Sequence, residues 1–113
     1  MDTVEKHHRY QQLLQQVVLM HANQERRPEL VPLLPICDTT HDSYLLMRVG
    51  FDRVGRAHHI LFHFRLQNGR VLIEHDGIEY GIARDLLAAG VAPEDIVFNM
   101  YRTPRHFVES LAA

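Results

Sequence analysis

The sequence predicts an α+β fold, in which an N-terminal helix and C-terminal helices pack on an antiparallel β-meander of about four strands. Three observations carry this prediction. Residues 44–77 hold strand-like runs joined by two turn signals, of which Asn68-Gly69 is the stronger because a type I′ turn needs positive φ at both central residues. Apolar residues recur at helical spacing before this segment, and again after it.

The first helix is expected to begin at Asp2, whose side chain can cap it, with Glu5 completing a pattern that resembles a capping box. Its apolar stripe would pack on the sheet. The stripe consists of Tyr10, Leu13, Leu14, Val17, Val18 and His21. Residues 30–37 are apolar but contain Pro32 and Pro35, which predicts an edge strand or an irregular extended segment.

Two hairpin registers follow from the turns. A two-residue loop at Asn68-Gly69 sets Leu66 opposite Val71, Phe64 opposite Ile73 and Phe62 opposite His75. A loop over residues 53–56 sets Val49 opposite Ile60, Met47 opposite Phe62 and Leu45 opposite Phe64. Both registers place apolar residues on one face, which we interpret as the core. That face holds Leu45, Met47, Val49, Ile60, Phe62, Phe64, Leu66, Val71 and Ile73.

The opposite face mixes leucines with charged residues. A face open to water should be mostly polar and a second core face mostly apolar, so a mixed face favours cover by a terminal helix, another subunit or a partner. We therefore predict an interface there. Its candidate residues are Tyr44, Leu46, Arg48, Leu61, His63, Arg65, Leu72 and Glu74.

After Gly77 the apolar spacing becomes helical, which predicts a helix over about residues 80–89 that ends at Gly90. The apolar run at residues 96–98 fits either a short strand or a helical turn. Thr103 and Pro104 form a good N-cap and N1 pair, so a last helix is expected to run from there through Leu111.

Length and composition predict one cytoplasmic domain over residues 1–113. The apolar content of 46% and charged content of 23% are ordinary for a globular protein. A net charge of -2 provides no global attraction for nucleic acid or membrane, and no apolar run is long enough to span a bilayer. The single Cys37 leaves no partner for an internal disulfide, which fits a reducing compartment.

The titratable residues give little support for catalysis or metal binding, and we expect no cofactor, no metal and no catalytic residues. The nine histidines lack metal-ligand spacing. His63 opposite Glu74 is the one pair suited to acid–base chemistry, which keeps a small enzyme as an alternative. Arg53 and Arg56, with Arg65 and Arg70 nearby, keep direct nucleic-acid binding as another.

Several stretches resemble the XisI family, which controls a programmed DNA excision in nitrogen-fixing cyanobacteria. The residues that carry the resemblance occur in the family's order along nearly the whole chain. They are residues 44–52 (YLLMRVGFD), His63, residues 68–73 (NGRVLI), residues 76–79 (DGIE), residues 81–83 (GIA), residues 90–97 (GVAPEDIV) and Arg105. The chain departs from the family at Phe51 and Leu72, where tryptophan is usual, and at Ile78, where threonine is frequent.

The resemblance implies an accessory factor for the excision of a DNA element, while strand exchange belongs to a separate recombinase. It also implies a protein partner, a XisH-like protein that resembles endonucleases in fold. We expect a homo-oligomer that is not bound to membranes and that reaches nucleic acid only indirectly. No catalytic residue of the family can be transferred to this chain.

Overall fold

An amphipathic helix, α1 (Thr3–Gln24), covers one face of a β-sheet. The computed structural model of the protein describes residues 2–25, 27, 31–101 and 105–106. The Asp2 carboxylate caps the helix as predicted, accepting a 2.8 Å hydrogen bond from the Glu5 amide. The predicted apolar stripe is also confirmed, since Tyr10, Leu14 and Val18 are almost completely buried.

The sheet has six strands in the order of the sequence. The first four form the predicted antiparallel meander, β5 runs parallel to β4, and β6 is antiparallel to β5. The prediction of about four strands therefore fell short by two brief ones. The strands are β1 (Leu33–Asp38), β2 (Ser43–Phe51), β3 (Arg56–Gln67), β4 (Arg70–Asp76), β5 (Ile96–Phe98) and β6 (Arg105–His106).

β1 is an edge strand, as Pro32 and Pro35 predict. Pro35 lies within it opposite Leu46 of β2, and the strand has no neighbour on its other side among the described residues. Proline cannot donate a ladder hydrogen bond, so its presence protects this edge against pairing with other chains.

The register predicted for β2 and β3 is wrong, because the loop between them is one residue earlier than expected. The Asp52 carboxylate accepts hydrogen bonds from the amides of Val54 and Gly55, and the Asp52 amide donates to the Gly55 carbonyl. This closes the loop over residues 52–55 and pairs Phe51 with Arg56.

A β-bulge then adds one residue to β3. Met47 pairs with Ile60, but the next residue back, Leu46, pairs with Phe62, so Leu61 has no opposite residue. Because side chains alternate along a strand, this extra residue reverses the face of β2 relative to the part of β3 that follows the bulge. Tyr44 therefore lies beside Phe64, and Leu46 beside Phe62.

The core beneath α1 consequently differs from the predicted one. Tyr44 and Leu46, which we placed on the interface, are 0% and 1% exposed within it. Phe62, Phe64, Leu66, Val71 and Ile73 are buried there as predicted. Four residues of the predicted core lie on the opposite face and are only partly buried: Leu45, Met47, Val49 and Ile60.

The second hairpin matches the prediction near its turn. Asn68 and Gly69 have φ of 53° and 74°, and Leu66 pairs with Val71 and Phe64 with Ile73. Beyond Phe64 another bulge shifts the register, so that Phe62 faces Asp76 instead of His75.

The Asp76 side chain connects β4 to the second helix, α2 (Ala83–Ala89). Its two carboxylate oxygens accept hydrogen bonds from the amides of Ile78 and Ile82, each at 3.1 Å. The intervening Gly77 approaches the Leu61 carbonyl so closely that a Cβ atom would lie 2.8 Å from it, which explains the glycine. α2 ends at Gly90, as predicted, with φ of 118°.

The structure after α2 decides between a strand and a helical turn at residues 96–98, and it corrects the prediction of a last helix. A 3₁₀ turn (Pro93–Asp95) leads into β5, so residues 96–98 are a strand. The last helix was expected to begin at Thr103 and Pro104, but residues 105 and 106 pair with β5 as β6. The remainder of that predicted helix lies outside the described residues.

A polar cluster joins α1 to the 3₁₀ turn. Asp95 is 8% exposed and accepts a 2.5 Å hydrogen bond from the Tyr10 hydroxyl. It also forms an ion pair with Lys6 at 2.9 Å. The Tyr10 hydroxyl in turn accepts from the Ala92 amide at 3.1 Å. Burial, together with the Asp95 carboxylate, raises the pKa of Tyr10 to about 12. The cluster fixes the helix to a segment more than 80 residues away.

Candidate functional site

One face of the sheet is left uncovered by the two described helices, because α1 and α2 pack into a single core on the other face. We call this uncovered side the open face. Side-chain alternation and the observed registers divide it into an apolar half and a polar half. The apolar half holds Leu34, Ile36, Leu45, Met47, Val49 and Ile60, with the exposed His58 opposite Val49. The polar half holds Ser43, His63, Arg65, Leu72 and Glu74, together with the exposed His75 opposite His63 and Val97 opposite Leu72.

The apolar half is unusual for a surface exposed to water. Leu34 is 45% exposed, and the other five side chains are partly buried. None of the six packs against the described core. Where β2 and β3 meet, Met47 and Ile60 line a shallow groove of about 450 Å³ together with three histidines, His58, His59 and His75. A contiguous apolar patch of this kind is typical of an interaction surface.

The polar half is organised by two pairs of side chains. Ser43 Oγ lies 2.7 Å from His63 Nε2. The Arg65 guanidinium lies 3.5 Å from one Glu74 carboxylate oxygen, and the Asn99 side-chain amide donates to the other at 2.5 Å. Leu72 pairs with Arg65 across the strands and lies among these groups.

His63 is a titratable group of this face whose pKa is shifted. Burial lowers its pKa below the ordinary value, and the nearby Arg65 and His75 lower it further, against an opposing effect of Glu74. A neutral imidazole is therefore favoured at neutral pH, and its unprotonated nitrogen can accept the Ser43 hydroxyl.

Ser43, in contact with His63, is a candidate nucleophile that the sequence did not reveal. A serine hydroxyl beside a neutral imidazole is the first requirement of nucleophilic catalysis, and a third group must then orient the base. Glu74 was expected to do so from directly opposite, but His63 pairs with His75, and Glu74 is engaged by Arg65 and Asn99. The arrangement therefore suits a cross-strand structural contact better than a catalytic triad.

The eight predicted interface residues are divided between the two faces. His63, Arg65, Leu72 and Glu74 lie on the open face. Tyr44 and Leu46 are core residues under α1, and Leu61 is a bulge residue that packs against this core. It was wrong to assign these three residues to the same face as the four on the open face. The bulge at Leu61 reverses the face of β2 relative to the part of β3 that follows the bulge.

Arg48 also lies on the helix side of the sheet. Its guanidinium donates to the Val31 carbonyl at 2.6 Å and to the Glu25 carboxylate at 2.7 Å, at the end of α1. The interaction with Arg48 lowers the pKa of Glu25. Arg48 therefore ties the end of α1 to β2, instead of contributing to the open face.

Arg53, Arg56, Arg65 and Arg70, all within the described part of the chain, do not form the cluster that direct nucleic-acid binding requires. Arg53 and Arg56 lie at the loop that begins β3, whereas Arg70 follows the turn at its other end. At about 3.3 Å per residue, the twelve residues of β3 separate these ends by roughly 36 Å. Arg65 is also paired with Glu74, so it was wrong to expect Arg65 and Arg70 near the first two.

Among the described residues, no group of three or more histidine, cysteine, aspartate or glutamate side chains is placed to hold a metal ion. Histidines instead pair singly with aspartates, as in His21 with Asp85 at 2.7 Å and His7 with Asp42 at 3.0 Å. Burial raises the pKa of the Cys37 thiol, which disfavours the reactive thiolate. Neither of the two described helices is long and apolar enough to cross a membrane.

Comparison with known families and structures assigns the chain. The family model described as XisI protein matches residues 1–110. The chain belongs to the XisI family. The predicted resemblance is thereby confirmed over almost the whole sequence. No curated protein sequence matches the chain.

Solved structures support the same relationship. The chain is similar to a XisI-like protein from Anabaena variabilis, with 26% identity and a TM-score of 0.74 over 81% of this chain and 84% of that one. It is also similar to the fdxN element excision controlling factor XisI from the same organism. That match has 28% identity and a TM-score of 0.69 over 86% of this chain and 88% of the other. The α+β fold predicted from the sequence is therefore confirmed as XisI-like.

Proposed function

We propose that this XisI-family protein controls the excision of a DNA element without performing the cleavage or strand exchange itself. In this proposal it acts by binding a XisH-like protein of endonuclease fold. Family membership supports the role in excision, as does the similarity to a protein described as an excision controlling factor. The role of a protein partner is supported by the open face.

The observation that carries the proposal is the composition of the open face. Leu72 lies beside the Arg65–Glu74 ion pair, with the Ser43–His63 contact close by. Partly buried apolar groups beside satisfied polar pairs are typical of protein interfaces, which tolerate arginine and bridging hydrogen bonds. Leu72 gains free energy when an interface removes its side chain from water, and it gains none when the side chain stays exposed.

Direct binding to DNA is the weaker alternative. The net charge of -2 and the wide separation of Arg56 from Arg70 provide no continuous track for phosphates. Under our proposal, contact with nucleic acid is indirect and depends on the partner. The isolated protein is then expected to bind duplex DNA no more tightly than about 10⁻⁴ M at physiological salt.

The test is capture of a co-expressed XisH-like protein. We expect the tagged wild-type chain to retain the co-expressed XisH-like protein, and Leu72→Glu to lose most of it. The introduced carboxylate would be desolvated beside Glu74 at the interface, which costs binding energy. Leu19→Glu is the matched control, since Leu19 is exposed on α1, away from the sheet.

Circular dichroism of each variant has to remain native-like for the comparison to count. Capture by Leu72→Glu at the wild-type level would show that the polar half is not the binding site. A wild-type chain that captures no XisH-like protein, yet binds DNA in the micromolar range with strong salt dependence, would favour the nucleic-acid alternative.

A further inference from the structure

The hairpin of β2 and β3 extends beyond the strands on either side of it. β1 pairs with β2 only as far as Arg48, and β4 pairs with β3 only as far as Phe62. The end of the hairpin therefore has no neighbouring strand among the described residues. We call residues 51–56 of this end the arm. All of its residues except Gly55 are exposed.

The arm carries the two most exposed large apolar side chains in the described part of the chain. Phe51 is 75% exposed and Val54 is 97% exposed. Single apolar residues are common on protein surfaces, but these two lie three positions apart on one projecting turn. An apolar side chain gains free energy when it leaves water, so this tip favours insertion into another surface.

The conformation of the arm is fixed by its own contacts. The Asp52 carboxylate accepts hydrogen bonds from the amides of Val54 and Gly55 at 2.8 and 2.9 Å, and the Asp52 amide donates to the Gly55 carbonyl at 2.9 Å. The Arg56 guanidinium lies 5.2 Å from the centre of the Phe51 ring and holds the ring beside it. Because the tip is ordered before it binds, docking costs little conformational entropy.

The charge of the arm is opposite in sign to that of the rest of the chain. Two arginines, Arg53 and Arg56, against the single Asp52 give the arm a net charge of +1. Since the whole chain carries -2, the other residues carry -3. The neighbouring His58 and His59 are exposed and add positive charge when they are protonated. A surface complementary to the arm is therefore apolar at its centre and acidic at its rim.

A protein fits the arm better than nucleic acid does. Two arginines neutralise about two phosphates, whereas tight binding of DNA takes about six to ten such contacts. The most exposed residue of the turn is Val54, which gains nothing from a phosphate but is stabilised when a protein pocket buries it.

We infer that the arm is a second docking element for the XisH-like protein, and that Phe51 and Val54 enter an apolar pocket rimmed by carboxylates on that protein. The identity of the partner rests on the proposed function, whereas the chemistry of the pocket follows from the arm. Both contacts lie on β3, with Arg56 at its start and Arg65 near its end. Nine residues of strand separate them, or about 30 Å, so a partner of domain size can touch both.

Surface plasmon resonance with an immobilised, purified XisH-like protein tests the inference on the full chain. Phe51→Ser and Val54→Ser should each raise Kd at least about tenfold, as truncation of a buried interface anchor does. Val4→Ser is the matched control and should leave Kd unchanged, because Val4 is 66% exposed on α1, on the other side of the sheet. All three positions are exposed, so the variants should keep a native-like circular dichroism spectrum.

The rate of association tests the acidic rim. Arg53→Glu should slow association at low salt, and the difference from wild type should shrink at about 0.5 M salt. Arg9→Glu makes the same change of charge at an exposed position of α1 and should have a smaller effect.

Wild-type affinity in both Phe51→Ser and Val54→Ser would overturn the inference and leave the proposed function intact. Arm variants that bind the XisH-like protein normally but lose retention on DNA would overturn it as well, and would give the arm to nucleic acid. Equal weakening by Val4→Ser would show that the effect is not specific to the arm. A wild-type chain that does not bind the XisH-like protein at all would instead contradict the proposed function, and the arm would lose its partner with it.

Discussion

Leu46→Glu is expected to unfold the protein, whereas Met47→Glu, one residue later, should leave it folded. Leu46 is 1% exposed beneath α1, in contact with the core that includes Phe62. Replacing it removes a buried apolar side chain and forces a carboxylate into a dry environment. The combined cost is at least about 4 kcal/mol, a large part of the stability of a small domain.

Met47 provides a matched control because it lies on the same strand and faces the other way. Its side chain is only partly buried, so a glutamate there can reach water. Circular dichroism and urea denaturation of the two variants measure the difference. A wild-type free energy of unfolding for Leu46→Glu, or an equal loss of stability in both variants, would contradict the observed register of β2.

Asp95→Ala should produce the second large loss of stability, of about 2–4 kcal/mol. The substitution removes the acceptor of the buried Tyr10 hydroxyl and the partner of Lys6. A hydrogen bond to a charged group contributes about 1.5–3 kcal/mol, whereas the ion pair adds less than about 1 kcal/mol because Lys6 is 37% exposed. Glu94→Ala, at the exposed neighbouring position, should change stability by less than about 0.5 kcal/mol.

The same cluster predicts a dependence on alkaline pH. The pKa of Tyr10 is raised from 10.0 to about 12 in the folded state, so the folded protein holds this proton longer than the unfolded chain. The resulting stabilisation is complete below pH 10 and is lost as pH rises toward 12. Between pH 9 and pH 11 the wild type should lose about 1 kcal/mol more than Tyr10→Phe in urea denaturation. An identical loss of stability in both proteins would show that Tyr10 does not cause the pH dependence.

The elements that local chemistry specifies could be predicted from the sequence. Asp2 with Glu5 identified the start of α1, Gly90 the end of α2, and Asn68-Gly69 the tight hairpin. Each of these signals acts within four or five residues, so a pattern in the sequence is enough to determine the outcome.

The faces of the sheet depended on features with no local signal. The Leu61 bulge adds one residue to a strand whose apolar residues are continuous, and nothing in the run Ile60-Leu61-Phe62 distinguishes the unpaired residue. Its consequence is global, since a shift of one residue moves Leu46 into the core and Met47 out of it. The candidate site was therefore only half predicted, and Ser43 and the apolar half were missed.

A correct loop would have corrected the register beside the turn, although not the assignment of the faces. The Asp52 side chain accepts from two amides within the turn, a common role of aspartate at the start of a loop. Starting the loop at Asp52 pairs Met47 with Ile60, but the bulge still has to be known before Tyr44 and Leu46 can be placed.

The excised fraction of a reporter DNA element tests the central claim most directly. Cells would carry the recombinase and the XisH-like protein, together with the wild-type chain, Leu72→Glu, or Ser43→Ala, which removes the candidate nucleophile by deleting a single hydroxyl. We expect excision with the wild type, most of it with Ser43→Ala, and little with Leu72→Glu, because the proposed function assigns binding and not chemistry to the open face. Complete loss of excision in a folded Ser43→Ala variant, or equal excision with and without the chain, would contradict this account.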